Sequence, residues 1–277
     1  DPYYMAGCCI EECIRNIVSC GGNPEKIAIL DNFCWGNIDD EKELGKLVRC
    51  VKGCKDYALK YKVPFISGKD SLNNYFKRKE GKIISIPGTL LISGLGVIDD
   101  IREITSTDFK KEGNFIFVLG KTYNELGGSI YYKIKGIKEG IVPKPNPSKT
   151  LPLMKKLHKG IKNGIIKSCH DCSDGGLITT ICEMMIGGNL GCEINFLNVL
   201  SEEEEAEILL FSESCGRFVV EVEKDKINEF ERIFENEEIS EIGRIIEAKK
   251  IKGFFGDRKL FEISLDEIYK SWRTLKF

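Results

Sequence analysis

The chain has 277 residues, of which 42% are hydrophobic and 30% are charged, a composition typical of a globular protein. Its formal net charge of −2 gives no electrostatic reason to bind nucleic acid or an anionic membrane surface. No apolar run approaches the ~20 residues that cross a bilayer. The opening Asp1-Pro2 has neither an initiator Met nor a basic signal region, which predicts a cytoplasmic piece of a longer protein.

The twelve cysteines are predicted to be mainly small buried side chains in a reducing cytosol. A chain of this length does not depend on disulfides for its core. Cys169 and Cys172 have the spacing of a metal or redox pair, but no second pair completes a zinc site. A redox or zinc protein therefore stays an alternative that metal analysis can test.

Residues 5–18 have the apolar spacing of a helix. Glu12 and Asn16 lie one turn apart on a face separate from the apolar one. Two oxygen-bearing side chains in this arrangement can share a cation. A solvated Glu–Asn pair explains the spacing as well.

Residues 27–30 predict a short strand, and the acid Asp31 directly after it favours either a ligand-binding loop or a turn packed by Trp35. Residues 41–61 form a strongly amphipathic helical pattern. The next strand, from residue 63, enters a Gly68-Lys69-Asp70-Ser71 loop. This loop lacks the spacing of a Walker A motif, but its lysine, hydroxyl and bare backbone can bind phosphate oxygens.

Residues 83–98 are rich in β-forming side chains, and the polar residues 105–113 that follow are typical of a linker. The second half predicts alternating strands and helices. Its strands are predicted at 114–119, 165–166, 218–222, 239–246 and 251–255, and its helices at 151–165, 177–186, 225–234 and 268–277. The acidic residues 202–205 favour a solvated helix start.

Residues 169–177 place two carboxylates, a hydroxyl and two glycines between the strand that ends at 165–166 and the next helix. A helix N-terminus favours phosphate, and a magnesium ion between carboxylates and phosphate would offset their repulsion. This pattern predicts a Mg-nucleotide site. The alternative is that Ser173 or Asp174 simply caps the helix.

The element order predicts an α+β or α/β protein with two lobes, residues 1–110 and 111–277. The polar and glycine-rich loops of both lobes fall at strand ends. A cleft between the lobes is therefore the predicted ligand site.

Seven motifs in order resemble the synthetase subunit of formylglycinamidine ribonucleotide synthase, from de novo purine synthesis. The motifs are Asp1-Pro2-Tyr3, Glu12-x-x-x-Asn16, Leu30-Asp31-Asn32-Phe33, Gly36-Asn37, residues 64–74, residues 170–177 and residues 210–217. The resemblance covers residues 1 to about 246. It implies the second of two tandem units similar to aminoimidazole ribonucleotide synthetase, each with an α+β N-lobe and an α/β C-lobe.

The resemblance also implies site roles at matching positions. Magnesium ligands are implied at Glu12, Asn16 and Asp171, nucleotide contacts at Asp31, Gly68 and Ser173, and a substrate contact at Ser71. At the position of Lys69, many members of the small form of this family carry an Asn that binds the metal. Because a protonated lysine donates and cannot ligate a metal, Lys69 is predicted to contact phosphate or carboxylate.

By resemblance, the full enzyme converts formylglycinamide ribonucleotide, ATP and glutamine-derived ammonia to formylglycinamidine ribonucleotide. The only histidines are His158, predicted at the surface, and His170, predicted to orient the magnesium loop. No Cys-His-Glu glutaminase arrangement is present, so ammonia must come from elsewhere. The resemblance implies that a glutaminase subunit supplies it and that a small accessory subunit completes the complex. The family's catalytic histidines lie in the first unit, so this chain alone is predicted to lack synthetase activity.

In that family the two N-lobes pair into a shared β-barrel, so an isolated half is expected to homodimerise through residues 83–97. Two alternatives remain besides the redox or zinc protein. One is a related ATP-dependent synthetase or kinase of the same superfamily, and the other is a non-catalytic half that holds a bound ATP or ADP.

Overall fold

The computed structural model describes residues 1–274. In the first half, two helices cover one face of a three-stranded sheet with the order β2-β1-β5. The elements are α1 (Pro2–Ser19), β1 (Ile27–Cys34), α2 (Glu41–Tyr61), β2 (Phe65–Ser71), β3 (Tyr75–Lys77), β4 (Ile83–Ser85) and β5 (Thr89–Gly96). β1 pairs in parallel with β2 and antiparallel with β5, while β3 and β4 form a separate hairpin.

The two faces of the three-stranded sheet differ in burial because side chains alternate along a strand. Ile29 and Phe33 on β1 are buried on the helix side. On the other face, Leu91 and Leu95 of β5 are 56% and 63% exposed. This open sheet face is therefore apolar and uncovered in the single chain.

The second half contains a seven-stranded mixed sheet with the order β12-β11-β8-β10-β6-β9-β7. Its strands are β6 (Phe115–Leu119), β7 (Ile166–Asp171), β8 (Gly191–Asn195), β9 (Phe218–Val222), β10 (Ile239–Ile246), β11 (Lys250–Phe255) and β12 (Arg258–Ser264). Its helices are α3 (Ile130–Lys135), α4 (Pro147–Lys162), α5 (Gly176–Gly188), α6 (Ala206–Phe211), α7 (Ile227–Ile233) and α8 (Leu265–Arg273).

Both faces of this sheet are buried, as the central strand β6 illustrates. Phe115, Phe117 and Leu119 join the core that contains α4 and α7, whereas Ile116 and Val118 join the core that contains α5. The first of these cores also includes Ile10 and Ile14 of α1 and residues of α2. Helix α1 therefore packs against the second half as well as its own sheet, which fixes the edge where the candidate site lies.

Several sequence-based expectations differ from the structure. The strand predicted to end at 165–166 instead begins at Ile166 and runs through Asp171, because it pairs with β9 along its length. The segment 105–113 is not a free linker, since Phe109 is buried and Ser106 bridges to Ser168 on β7. The sequence pattern does not predict strands β3, β8 and β12 or helix α3.

The helix predicted at 268–277 begins earlier, at Leu265, where Ser264 and Glu267 form a capping box. Residues 275–277 lie outside the described part of the chain. The division into lobes at residue 110 stays a prediction. Among residues 1–274, no helix combines the length and apolar character needed to cross a bilayer.

Candidate functional site

Asp171 is the last residue of β7, and its carboxylate contacts helix α1 of the other half. With its amide nitrogen turned toward Asp171, Asn16 donates to Oδ2 and Oδ1 at 2.9 and 3.1 Å. The Ser173 hydroxyl donates to Oδ2 of the same carboxylate. Two of the three sequence-predicted metal ligands, distant in the chain, therefore meet in space.

Glu12, the third predicted metal ligand, lies one turn before Asn16 on α1, with part of the residue exposed and its carboxylate partly buried. Burial of its carboxylate raises the pKa of Glu12, and the charges of Asp171 and Asp174 add to this effect against the lowering influence of Arg15. Glu12 therefore shares the electrostatic environment of Asp171. Within residues 1–274, however, no group of three or more His, Cys, Asp or Glu side chains is arranged to hold a metal ion.

Asp171 is held as an anion. Burial opposes ionisation, but the hydrogen bond from His170 and the positive charge of Arg15 lower the pKa of Asp171 to about 2. The His170 ring lies between two carboxylates, with Nδ1 3.2 Å from Asp171 Oδ1 and Nε2 3.1 Å from Glu183 Oε2. His170 thus contacts and orients Asp171. The other histidine, His158, is half-buried with its ring 3.0 Å from the Gly21 carbonyl, and not at the surface as predicted.

The turn from β7 to α5 depends on two glycines with positive φ. Gly175 is the N-cap residue at φ 82°, and no side chain caps α5, so the expectation that Ser173 or Asp174 caps it is wrong. Instead the Gly175 N–H donates to Oε1 of Glu213 at 2.8 Å. At Gly176, φ is 71° and an added Cβ would lie 2.7 Å from the Ser212 carbonyl oxygen, so only glycine allows this close approach.

A cavity of about 290 Å³ lies beside this turn, between α1 and the loops that follow β6, β7 and α6. Its lining residues are Asp1, Tyr4, Met5, Cys8, Glu12, Arg15, Gly127, Gly128, Val142, Pro143, Ser173, Asp174, Glu213 and Cys215. The predicted residues Glu12 and Ser173 therefore line one cavity. We call it the α1 cavity below.

Asp31 and Gly68 form a second location. They are direct partners in the parallel pairing of β1 and β2. Burial and the charge of Asp70 raise the pKa of Asp31. Asp31 lines an open groove of about 770 Å³ beside α2, which contains none of the residues that line the α1 cavity. The structure therefore does not bring Asp31 together with Ser173.

Lys69 and Ser71 lie on the opposite face of β2 from Gly68, because successive strand residues point to opposite sides. The Lys69 ammonium donates to the Ser71 hydroxyl. Lys69 is exposed and Ser71 half-buried. These two residues are close to each other on the open sheet face and do not line the α1 cavity.

Three charged residues at this site are not among the site residues predicted from the sequence. Glu11 and Arg15 form a buried ion pair on α1, with exposures of 0% and 4%. Glu213 accepts from the backbone N–H groups of both Gly175 and Ile130. For Glu11 and Arg15, the sequence signal is a charged residue at a helix position flanked by apolar residues. Which face of α1 meets β7, however, depends on long-range packing.

The cysteines carry no metal site within residues 1–274, and all twelve are free thiols. Cys169 and Cys172 are fully or almost fully buried. The prediction that the cysteines are mainly buried holds for half of them, since six are buried, five are half-buried and Cys20 is exposed.

This two-lobed α+β fold, with a site between α1 and β7, defines the chain as a member of the AIR synthase related protein family. The model of that family's N-terminal domain matches residues 1–92 and the model of its C-terminal domain matches residues 111–256. The predicted fold class is confirmed. The predicted resemblance to the synthetase subunit is also confirmed, because curated relatives carry the name phosphoribosylformylglycinamidine synthase subunit PurL.

The PurL of Thermococcus sibiricus is 33% identical over 252 residues, which are 91% of this chain and 34% of that protein. The PurL of Thermoplasma volcanium is 30% identical over 272 residues, 98% of this chain and 34% of that protein. The chain thus spans about one third of the length of these relatives.

A structure of Thermotoga maritima PurL complexed with FGAR matches with a TM-score of 0.79 and 18% identity, over 97% of this chain and 43% of that one. The hydrogenase maturation protein HypE in complex with ATP matches with a TM-score of 0.68 and 14% identity, over 95% and 81%. At these identities the structural matches establish the fold alone.

Proposed function

We propose that this chain is the second synthetase-like unit of a formylglycinamidine ribonucleotide synthase, an ATP-dependent ligase of purine biosynthesis. The whole enzyme joins nitrogen from glutamine-derived ammonia to formylglycinamide ribonucleotide. This half carries an auxiliary Mg-nucleotide site and part of the substrate site. The observation that carries the proposal is the meeting of Asn16 on α1 with Asp171 on β7, which assembles oxygen ligands from both halves of the chain.

The proposed donor set fits a hard divalent cation; Glu12 lines the α1 cavity, and Asn16 and Asp171 meet behind its lining residues Arg15 and Ser173. Carboxylate and amide oxygens are the ligands that Mg²⁺ prefers, and Asp171 stays ionised throughout the physiological pH range. The Asn16 amide can present its oxygen to a cation by turning about its last bond. We propose that Glu12, Asn16 and Asp171 hold the ion and that Ser173 contacts the nucleotide. The bound ion would supply positive charge to phosphate oxygens.

The open sheet face has a different proposed role from the α1 cavity. Lys69 and Ser71 are on the uncovered sheet face, so a site there is complete only when another unit covers that face. We propose that they contact the phosphate or carboxylate of the substrate there. Asp31 and Gly68, on the helix side of the same strands, are proposed nucleotide contacts.

We propose partners of two kinds. The open sheet face with exposed Leu91 and Leu95 fits the first unit of the same chain, or a second copy when the half is isolated. A glutaminase subunit and a small accessory subunit would supply ammonia in a cytoplasmic complex. The isolated 277 residues are proposed to bind nucleotide without turning over the substrate.

Nucleotide titration calorimetry tests the proposal directly. We expect ATP or ADP to bind the wild-type chain with Mg²⁺ and at least tenfold more weakly in EDTA. Asp171→Asn should lose the Mg²⁺ dependence, whereas Asp257→Asn, at an exposed turn between β11 and β12, should retain it. Equal affinity with and without Mg²⁺ in the wild type would contradict the proposed site.

A coupled assay with ammonia tests the claim about activity. Turnover of formylglycinamide ribonucleotide by the isolated chain would show that this unit holds the catalytic site.

Light scattering tests pairing through the open sheet face, since Leu91→Glu with Leu95→Glu should convert a homodimer to a monomer. A monomeric wild type would remove the support for pairing through this face.

Two other functions remain distinguishable. The structural likeness to HypE favours a related ATP-dependent enzyme of the same superfamily as one alternative. A non-catalytic half with permanently bound nucleotide is the other. Nucleotide released only by denaturation, without exchange against labelled ADP, would favour the non-catalytic half, and phosphate release without formylglycinamide ribonucleotide would favour the related enzyme.

A further inference from the structure

Helix α1 contains an ion pair whose burial is not explained by stability. Glu11 and Arg15 are one turn apart, 0% and 4% exposed, and their side chains are in direct contact. Within the described residues, Glu11 Oε1 and Arg15 Nε are buried without a hydrogen-bond partner. A buried ion pair is often no more stable than apolar side chains of the same volume, so its retention calls for another role.

The other end of the guanidinium contacts the β7–α5 turn. Arg15 Nη2 donates to the Ser173 hydroxyl at 3.0 Å, and Nε lies 3.6 Å from Asp171 Oδ2. Ser173 in turn donates to Asp171, so its hydroxyl accepts from one side and donates to the other. Only the planar, forked guanidinium can contact Glu11 and Ser173 simultaneously.

Glu11 decides how closely Arg15 approaches Asp171. Its carboxylate contacts Nη1 directly, while the nearest approach of Arg15 to Asp171 is 3.6 Å. Without Glu11, the guanidinium would be free to form a bidentate pair with Asp171 and neutralise it. With Glu11 in contact with Nη1, the guanidinium stays 3.6 Å from Asp171, so Asp171 remains available to a cation.

We propose that Arg15 is a positioning residue, held by Glu11, that fixes Asp171 and Ser173 against α1 without neutralising Asp171. This inference rests on the proposed Mg-nucleotide site and adds the residues that organise it. It assigns a function to two buried charges, of which Arg15 lines the α1 cavity and Glu11 contacts Arg15 from within the core. It also explains how the β7–α5 turn of the second half keeps its position relative to Asn16 on α1.

The double variant Glu11→Met with Arg15→Met tests the inference, because it replaces the pair by apolar side chains of similar volume. We expect it to fold with a Tm near that of the wild type. Hydrogen exchange should show lost protection of the amides in residues 172–176 while β7 and α5 stay protected. Nucleotide affinity with Mg²⁺ should fall at least tenfold, and affinity in EDTA should change little.

Two single variants sharpen the test. Arg15→Lys keeps the charge but cannot contact both partners, so it should lose affinity as well. Glu11→Gln should weaken the Mg²⁺-dependent binding, whereas Glu221→Gln is the matched control. Glu221 is equally buried but contacts Ser168, Asn114 and the backbone of 110–111, away from the α1 cavity.

The outcomes separate this inference from the proposed function. A wild-type chain that binds no Mg-nucleotide contradicts the proposed function, while the hydrogen-exchange result still tests the positioning role. Unchanged protection of residues 172–176 in the double variant overturns the positioning role, even if binding is lost. Wild-type affinity in that variant overturns it too.

Discussion

The Asp31 carboxylate lies directly over Gly68, so close that a Cβ added at Gly68 would be 2.6 Å from Oδ1. The two residues are direct partners across β1 and β2. Any side chain at position 68 would therefore push the carboxylate out of the groove beside α2. The orientation of Asp31 thus depends on the absence of a neighbouring side chain.

Gly68→Ala is expected to reduce nucleotide affinity about fivefold, since a displaced hydrogen-bonding group costs about 1 kcal/mol. Calorimetric titration with ADP measures the effect. The matched control is Gly45→Ala on α2, where an added Cβ meets nothing within 4 Å. That variant should leave affinity unchanged and stabilise the helix by about 0.5–1 kcal/mol. Equal affinities for all three proteins would argue that Asp31 does not contact nucleotide.

The sequence predicts elements best where local pattern and capping agree. Helix α2 has its predicted bounds of 41–61 because an unbroken apolar stripe follows the N-cap residue Asp40. β9 and β10 also have their predicted bounds, since β-branched residues concentrate there. The pattern does not predict β8, because its partners β10 and β11 are distant in the chain. It does not predict β12 either, although the partner strand β11 directly precedes it.

Candidate site residues could be predicted where oxygen-bearing side chains recur at helical spacing, as Glu12 and Asn16 do. Arg15 was not, because nothing local tells which face of α1 meets β7. The separation of Asp31 from Ser173 was also not predictable, since it depends on how the two sheets are arranged around α1. Local sequence thus identifies donor groups, whereas tertiary packing decides which of them share a cavity.

Gly176→Ala is expected to destabilise the protein by about 3 kcal/mol. The added Cβ would meet the backbone at the end of α6 at 2.7–2.9 Å, and the positive φ of 71° adds about 1–2 kcal/mol of strain. Gly128→Ala separates the two causes, since Gly128 has φ 80° and nothing within 4 Å of an added Cβ. It should cost only about 1 kcal/mol in urea unfolding. Equal losses for both variants would contradict the close packing of α5 on α6.

His170 should make stability depend on pH between 6.5 and 9. Burial lowers its pKa, but hydrogen bonds with Asp171 and Glu183 outweigh this and raise the pKa to about 9. A raised folded pKa means that the stabilisation is complete below the unfolded value of about 6.5 and is lost as the pH rises through 9.

The difference in unfolding free energy between wild type and His170→Gln reports this contribution. We expect about 3 kcal/mol at pH 6, falling toward zero above pH 9.5. Groups that do not contact the ring titrate alike in both proteins, so their effects cancel in the difference. Glu183→Gln should shift the decline to lower pH by removing one partner of the ring. A difference that stays constant with pH would mean that the ring is not charged in the folded state.

The thiols of Cys8 on α1 and Cys215 before β9 are 3.8 Å apart and both line the α1 cavity. A disulfide requires the sulfurs to close to about 2.05 Å, which we expect from rotation of the two side chains. The hydrogen bond with Cys8 and burial raise the pKa of Cys215, so we expect reaction to begin at Cys8. Treatment with diamide, which accepts the two electrons and two protons, should form the Cys8–Cys215 bond.

Peptide mass spectrometry should find these two cysteines joined with the loss of two hydrogens, and Cys8→Ser or Cys215→Ser should abolish the product. Exposed Cys20 serves as the internal control, because it should react with a maleimide without joining either residue. Since the bond would link α1 to the loop across the cavity, the oxidised chain should bind nucleotide more weakly until it is reduced. Cross-links distributed among other cysteines, with Cys8 and Cys215 unjoined, would contradict the packing of α1 against this loop.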